Sequence, residues 1–554
     1  MKLSGAQIIV KCLLEQEVDT IFGYPGGAVM PLYDVLYDYQ KEIQHILTAH
    51  EQGASHAADG YARVSGKVGV CIATSGPGAT NLVPGIATAY MDSVPMVAFT
   101  GNVISPLLGR DSFQEVDIMG VTMPVTKHNY QVRNVEDLAD IVREAFELAR
   151  SGRPGPVLID VPKDIFNAKC EYEPKAKPEP EAKQPTDQGM LNEALELIKG
   201  CERPMIYAGG GIVKAGANEE LLEFANKLQA PVSCSLMGLD GFPGNDPLFT
   251  GMVGMHGSKA SNMGVTHCDL LMVLGARFSD RVVGKIEKFA PKAQVVQVDI
   301  DPAEVHKHVS THHYIIGDVK TVLTELNDHM KQYERPEWLE EIEGYKADEA
   351  KLTPERHMAR KILKSIERTM DEDAIIATDV GQHQMWTAQY LAFGEKNRFA
   401  TSGGLGTMGY GLGAAIGAQM ANPDNQVIHI TGDGSFRMNI NELFTAVKYK
   451  LPLTTVLFDN RSLGMVRQWQ TLFFDKRLAE TKLDAVDFCA IGSAYGAKVW
   501  QVTDFDDMDS VLKEAFQHDG PSLVHCIIDP DTMVLPMVAP GEAISKIIMH
   551  KEIE

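Results

Sequence analysis

Short apolar, β-branched runs recur along the chain at residues 68–74, 94–101, 156–161, 270–275, 295–299, 426–431 and 454–458, separated by stretches with helical spacing. Runs that stay apolar throughout, without alternation, suit strands covered on both faces, so the pattern predicts parallel sheets with helices on either side. Residues 1–23 read as an amphipathic helix. Two stretches break the alternation. Residues 171–188 (EYEPKAKPEPEAKQPTDQ) are rich in Pro, Lys and Glu, which cannot pack a core and favour an extended path over the surface. Residues 333–353 are charged and helix-prone, a second connector. The predicted fold class is α/β, with three doubly wound parallel-sheet domains at 1–168, 190–335 and 359–530, linkers at 169–189 and 336–358, and a tail at 531–554.

Composition narrows the function. A chain of 554 residues exceeds one hydrophobic core, and 44% hydrophobic with 23% charged residues leaves little room for disorder. A net charge of −23 without a basic cluster argues against nucleic acid and anionic membranes as partners, because both demand grouped Lys and Arg. Apolar stretches end well short of a membrane span, and the amino terminus lacks the features of a signal peptide, so a soluble cytoplasmic protein is expected. The eight cysteines are scattered with no C-x-x-C pair, which reads as reduced thiols and no zinc site.

Candidate chemistry is densest near the carboxyl end. The 426–431 strand runs into Gly432-Asp433-Gly434, after which 439–449 reads as a helix, and the 454–458 strand ends in Asp459-Asn460. A right-handed crossover sets these two strand ends side by side at the ligand-binding edge of the sheet. The Asp433 carboxylate and the Asn460 amide oxygen suit Mg²⁺, which keeps waters and completes its octahedron with phosphate oxygens, so the expected ligand is a diphosphate. Gly432 and Gly434 let backbone approach the phosphates. Gly-Asp-Gly alone is usually a tight turn. Followed by Asp-Asn at the end of the next strand, it matches the motif of the thiamine-diphosphate enzymes, and the chain resembles that superfamily. Those relatives often have Asn-Asn where this chain has Asp459-Asn460.

The resemblance implies a pyrimidine-binding and a diphosphate-binding domain flanking a Rossmann-like middle domain. It makes a backbone carbonyl of Ser462 a third metal ligand and Glu51 the carboxyl group that hydrogen-bonds the far pyrimidine nitrogen of thiamine diphosphate. Glu51 follows an apolar strand and opens an Ala-rich helix, where it also fits the plainer task of stabilising the positive helix end. The loops 23–27 and 74–81 stand in the family's order and carry Gly26 and Pro77 as cofactor contacts. With Glu51 in the first domain and Asp433 in the third, the cofactor lies between domains. In the family this is across a subunit interface, which implies a homodimer or tetramer.

Residues 463–470 (LGMVRQWQ) resemble the catalytic subunits of the acetohydroxyacid (acetolactate) synthases specifically. Trp469 makes a shaped apolar wall that favours a second ketoacid one methylene larger, and Arg281, in 275–282 (GARFSDRV), matches the arginine for the acceptor's carboxylate. Ser279 replaces an Asp common in relatives. Further catalytic matches are Phe113, Gln114, Lys163 and Met465. Cofactor matches are Val380, Gly381, Gln382, His383, Gly406, Met408, Ser435 and Gly464, with Gly406 accepting from the 4'-amino group. Arg153, Gly209, Gly210, Gly211, Met255, His256, Gly257, Arg277, Asp299 and Asp318 match contacts to an FAD that takes no redox part.

The resemblance thus implies thiamine diphosphate, Mg²⁺ and FAD as cofactors, pyruvate and 2-ketobutyrate as substrates on the route to branched-chain amino acids, and a small regulatory subunit as a further partner. The rival members are flavin-independent catabolic acetolactate synthase and decarboxylases such as pyruvate oxidase, and Trp469 with Arg281 separates them. Residues 404–409 satisfy the G-x-G-x-x-G pattern of a nicotinamide dehydrogenase, but 398–402 before them reads as a poor strand and no acidic residue follows at the required distance. A non-catalytic relative would be expected to lack Glu51 or Asp433, and both are present.

Overall fold

Every one of the seven apolar runs is an internal strand, and their burial on both faces explains their uninterrupted hydrophobicity. The structure, a computed structural model, describes residues 1–177, 184–352, 357–394 and 398–549. It holds three six-stranded sheets, each wholly parallel.

The first sheet runs Gln44–Leu47, Thr20–Gly23, Gly69–Ala73, Met96–Asn102, Pro156–Pro162 and His128–Gln131 in spatial order. The third runs Arg398–Thr401, Ile375–Thr378, Val427–Gly432, Leu453–Asp459, Ser522–Ile527 and Lys498–Val502. The two orders are identical when each domain's strands are counted along the chain, so the first and third domains share one topology. The middle sheet differs: Phe249–Met252, Val232–Cys234, Pro204–Ala208, Leu270–Leu274, Gln294–Asp299 and His313–Ile316 take the order third, second, first, fourth, fifth, sixth, which is that of the Rossmann fold. In each sheet the order reverses beside the sheet's first strand in chain order, and the crevice beyond the strand ends there is where ligands bind in such folds.

Several local expectations are corrected. Residues 1–23 are not one helix but a strand (Lys2–Ser4), a helix (Gly5–Glu15) and the strand Thr20–Gly23, because the apolar run 20–22 is claimed by the sheet. Residues 398–401 are a strand after all, parallel to Ile375–Thr378 at the edge of the third sheet. Helix begins at Asp433 itself (Asp433–Asn439) before a second helix, Glu442–Lys448. Around the connectors, Lys169–Glu171 pairs antiparallel with Lys2–Ser4, and Pro336–Leu352 is a helix that buries Trp338 and Ile342 against the middle domain. Residues 178–183 of the Pro-rich stretch lie outside the described residues.

The first and third domains meet through the helices Glu51–Ser65 and Gly411–Ala421. These approach backbone to backbone: a Cβ at Gly60 would overlap the Ala414 carbonyl, and one at Gly417 the Ala57 carbonyl. The described part of the tail is also pinned in place. Gln382 Nε2 donates to Thr532 O (3.0 Å), Gln468 Nε2 to Val534 O (2.9 Å) and Val538 N to Met255 O (2.7 Å), so residues 532–538 lace the third domain to the middle one.

Candidate active site

The functional side chains collect at the switch points, in two groups. At the first sheet, the loops after Thr20–Gly23 and Gly69–Ala73 interlock: the space a Cβ would take at Gly26 is filled by Thr74, whose hydroxyl accepts from Ala28 N (3.2 Å). Glu51 is the first residue of its helix, behind a His50 cap whose ring Nδ1 accepts from Gln52 N (3.1 Å). Its Oε2 accepts from Asn81 Nδ2 at 3.0 Å, and a Cβ at Gly78 would lie 3.2 Å from its Oε1. Pro77 opens the helix Pro77–Asn81. Gln114 sits against Gly76 with φ of 56°, and beside it Phe113 is 87% exposed. Lys163, half-buried, starts a short helix at the end of Pro156–Pro162.

The second group stands where the third sheet reverses, between Ile375–Thr378 and Val427–Gly432. Asp433 is buried and its Oδ2 has no hydrogen-bond partner. Burial and then the neighbouring Asp459 charge push its carboxyl up to about 7. On the adjacent strand end, Asn460 Oδ1 accepts from Ser462 N (3.1 Å) while its Nδ2 donates to Gln382 Oε1 (3.1 Å). Arg461 between them takes φ of 51°, a left-handed turn of the backbone. Asp459 is held by His525 Nε2 (2.8 Å). His383 packs on Gly432, and burial pushes its imidazole down to about 4, so it is neutral; its Nε2 is buried without a partner. Ser435 Oγ donates to Val380 O (2.7 Å), and Gly464 fits against Gln382 and Asn460 where a Cβ would clash.

These residues fit Mg²⁺ and a diphosphate. An unpaired carboxylate oxygen and an unpaired imidazole nitrogen, both buried beside glycines, each cost free energy that a cation and its phosphate oxygens would recover. Among the described residues no cluster of three His, Cys, Asp or Glu side chains could hold a metal alone. That agrees with a cation held by one carboxylate, amide and carbonyl oxygens and the ligand's own phosphates.

Beside this group opens a cavity of about 1620 Å³ shared by all three domains. Val380, Gly381, Gly406, Met408, Met465 and Trp469 line its third-domain wall. Opposite, the Arg281 guanidinium lies 5.5 Å from the centre of the Trp469 ring and its Nη1 is 3.6 Å from Met255 Sδ. Ser279 caps the turn that presents this arginine, its Oγ accepting from Arg281 N (3.2 Å), so the exchange of Asp for Ser keeps a capping oxygen.

The cavity continues over the switch point of the middle sheet, where Gly210, Gly211 and Arg277 follow the first and fourth strands. Arg153, Met255, His256, Asp299 and Asp318 also line it. Gly209 and Gly257 do not: a Cβ on either would meet backbone of Gly275 or Gly254. Arg277 Nη2 donates to Met91 O (2.7 Å), Arg153 Nη1 pairs with Glu304 (2.7 Å), and burial pushes Asp299 up to about 6.

Among the described residues no hydrogen bond or ion pair joins Glu51 to Asp433, Asn460 or Ser462, and neither Glu51, Phe113, Gln114 nor Lys163 lines the cavity. The candidate residues thus fall into two groups, one at the first sheet and one at the third, and the turn before Glu51 is tied to the third domain through Glu442. Residues the sequence reading passed over include Asn81, Gln468 and Asp92, whose carboxylate accepts from Gly403 N (3.1 Å) and Gly404 N (2.7 Å) and so holds the loop bearing Gly406. Asn81 and Gln468 lie inside the motifs 74–81 and 463–470 but carry no role that those motifs assign, and Asp92 lies in none.

Three family models match: the N-terminal TPP-binding domain of thiamine pyrophosphate enzymes over residues 3–121, their central domain over 191–326 and their C-terminal TPP-binding domain over 379–526. Among curated relatives, a probable acetolactate synthase large subunit of Methanocaldococcus jannaschii is 46% identical over 100% of this chain and 96% of its own length. The acetolactate synthase isozyme 2 large subunit of Escherichia coli K12 is 46% identical over 99% of both chains. An acetolactate synthase large subunit of Cyanidium caldarium is 44% identical over 98% of this chain and 96% of its own.

Proposed function

Because the chain belongs to the acetolactate synthase large subunits of the thiamine pyrophosphate enzymes, we propose that it decarboxylates pyruvate and transfers the two-carbon unit to pyruvate or 2-ketobutyrate. The observation that carries the choice of acceptor is the Arg281–Trp469 stack at the cavity wall. A guanidinium there offers a two-pronged grip on the acceptor's carboxylate, and the indole edge limits and rewards the alkyl group beside it.

Asp433, Asn460 and the Ser462 carbonyl would hold Mg²⁺, with Gly432, Gly434, Ser435, Gln382, His383 and Gly464 around the diphosphate. Val380, Gly406, Met408 and Met465 would bracket the rings. Bound thiamine diphosphate supplies the electron sink for decarboxylation. Glu51 holds a proton at the far pyrimidine nitrogen, and Asn81 keeps its carboxyl directed. As in the enzymes it resembles, the cofactor would be held across a subunit interface, with Glu51 serving Asp433 of a second copy. Exposed apolar side chains near both groups, Phe113 at 87%, Met123 at 67%, Met438 at 57% and Phe444 at 52%, favour such burial in a homodimer or tetramer. FAD would lie along the middle-sheet switch point as a fixed structural element. The relatives' designation as large subunits supports a small regulatory partner. Eight free thiols fit a reducing compartment, and we place the activity in the cytoplasm.

Product analysis with both ketoacids tests this reading. The wild type should prefer 2-ketobutyrate over pyruvate as acceptor, and Trp469→Leu should cut that preference by about 10-fold or more, the worth of one methylene in a shaped pocket. An unchanged ratio would refute the role of Trp469. The purified protein should also show flavin absorption; full activity without flavin would favour the catabolic type.

A further inference from the structure

The turn that presents Glu51 is fastened largely by another domain. Leu47 N donates to the Tyr449 hydroxyl (2.8 Å), Ala49 N to Glu442 Oε2 (3.1 Å) and His50 N to Glu442 Oε1 (3.0 Å). Of these four consecutive amides only Thr48 N stays within the first domain, donating to Gly23 O (3.3 Å). Glu442 and Tyr449 stand at the two ends of the helix Glu442–Lys448, which follows the helix that starts at Asp433.

Glu442 is 0% exposed, and among the described residues no Lys, Arg or His side chain forms an ion pair or hydrogen bond with it. Its carboxylate is met by the two amides and by the Thr445 hydroxyl (2.7 Å). Charge-assisted hydrogen bonds of this kind are strong and directional, so they fix the position of what they bind. The sequence also makes room for the carboxylate, because Gly53, in the first turn of the Glu51 helix, offers no Cβ where one would overlap Glu442 Oε1. A buried carboxylate given two backbone amides immediately before Glu51, with a glycine cleared for it, has the geometry of a clamp.

We infer that Glu442 is a positioning residue for Glu51: planted from the third domain, its carboxylate fixes the amides of residues 49 and 50 and thereby the direction in which the Glu51 side chain leaves its helix. The inference rests on the reading of Glu51 as the proton-holding group. Misplacement of a reacting group by about 1 Å costs on the order of 100-fold in rate, so loss of the clamp has a measurable consequence without loss of the fold.

The test is the rate at which the C2 proton of enzyme-bound thiamine diphosphate exchanges with deuterated solvent, followed by quenched flow and NMR on the holoenzyme. Glu442→Gln keeps the shape but turns an amide donor toward a backbone N–H. It should slow exchange by roughly 10- to 100-fold, leave the affinity for Mg²⁺ and thiamine diphosphate unchanged, and add nothing in the Glu51→Gln background. Exchange at the wild-type rate, or an undiminished effect on top of Glu51→Gln, would overturn the inference. Exchange untouched by Glu51→Gln alone would instead retire the reading of Glu51, and this inference with it. If circular dichroism finds Glu442→Gln unfolded, Gly53→Ala decides in the same assay, since it displaces the carboxylate without altering charge.

Discussion

Glu51→Gln should lower turnover at saturating thiamine diphosphate by roughly 10²- to 10⁴-fold, the contribution of a positioned acid–base group, with KM for pyruvate little altered. The amide keeps the size of the side chain and can still accept from Asn81 Nδ2, so the cluster around Gly78 should stand. What it loses is the ability to share a proton with a weakly basic ring nitrogen. If Glu51 merely stabilised the helix end, the substitution would cost only a small amount of stability and no catalysis. Steady-state kinetics together with a melting curve separate the two: a large fall in kcat at an unchanged melting temperature is expected, and full turnover would contradict the assignment.

The second large effect falls on Asp433. Its Oδ2 is buried without a partner, which is costly unless a cation arrives. Asp433→Asn should weaken the apparent affinity for Mg²⁺ and thiamine diphosphate by at least about 100-fold, beyond what loss of an outer-shell partner costs. The pH dependence follows from the sign of the shift. Burial and Asp459 raise the carboxyl to about 7, so below that pH the proton competes with the metal, and binding releases it. Affinity should therefore climb as pH rises toward 7 and level off above it, and Asp433→Asn should flatten the profile. Calorimetric titration at a series of pH values measures this, and a wild-type affinity indifferent to pH across that range would count against Asp433 as the ligand.

Which parts could be read from the chain follows from burial. Strands such as Gly69–Ala73 and Leu453–Asp459 are covered on both faces and paired on both edges, so every position is buried and the apolar run stands out. Edge strands escape this constraint. His128–Gln131 (HNYQ) and Lys498–Val502 (KVWQV) are only partly buried and carry polar residues, and only pairing with a neighbour makes them strands. Arg398–Thr401 is also an edge strand, and although three of its four residues are buried, it is short and begins with a charge, so it looks poor in isolation.

The site divides in the same way. Asp433, Asn460 and Glu51 sit at strand ends and a helix start, places that local sequence marks. The residues that hold Glu51 and the loops around the site, Asn81, Asp92, Gln468 and Glu442, act on partners far away in the chain. The tail is the clearest case: Val534 and Val538 bind by their backbones to Gln468 and Met255, and a backbone contact leaves no trace in the side-chain pattern.

The most direct test of a site shared between copies is to co-express Glu51→Gln chains with Asp433→Asn chains and assay the mixture. Each variant alone should be nearly inactive. If one copy's Glu51 serves its neighbour's Asp433, every mixed dimer contains one site with neither substitution, and random pairing should restore about a quarter of the wild-type activity. A mixture no more active than its two components would mean that each chain builds its site alone.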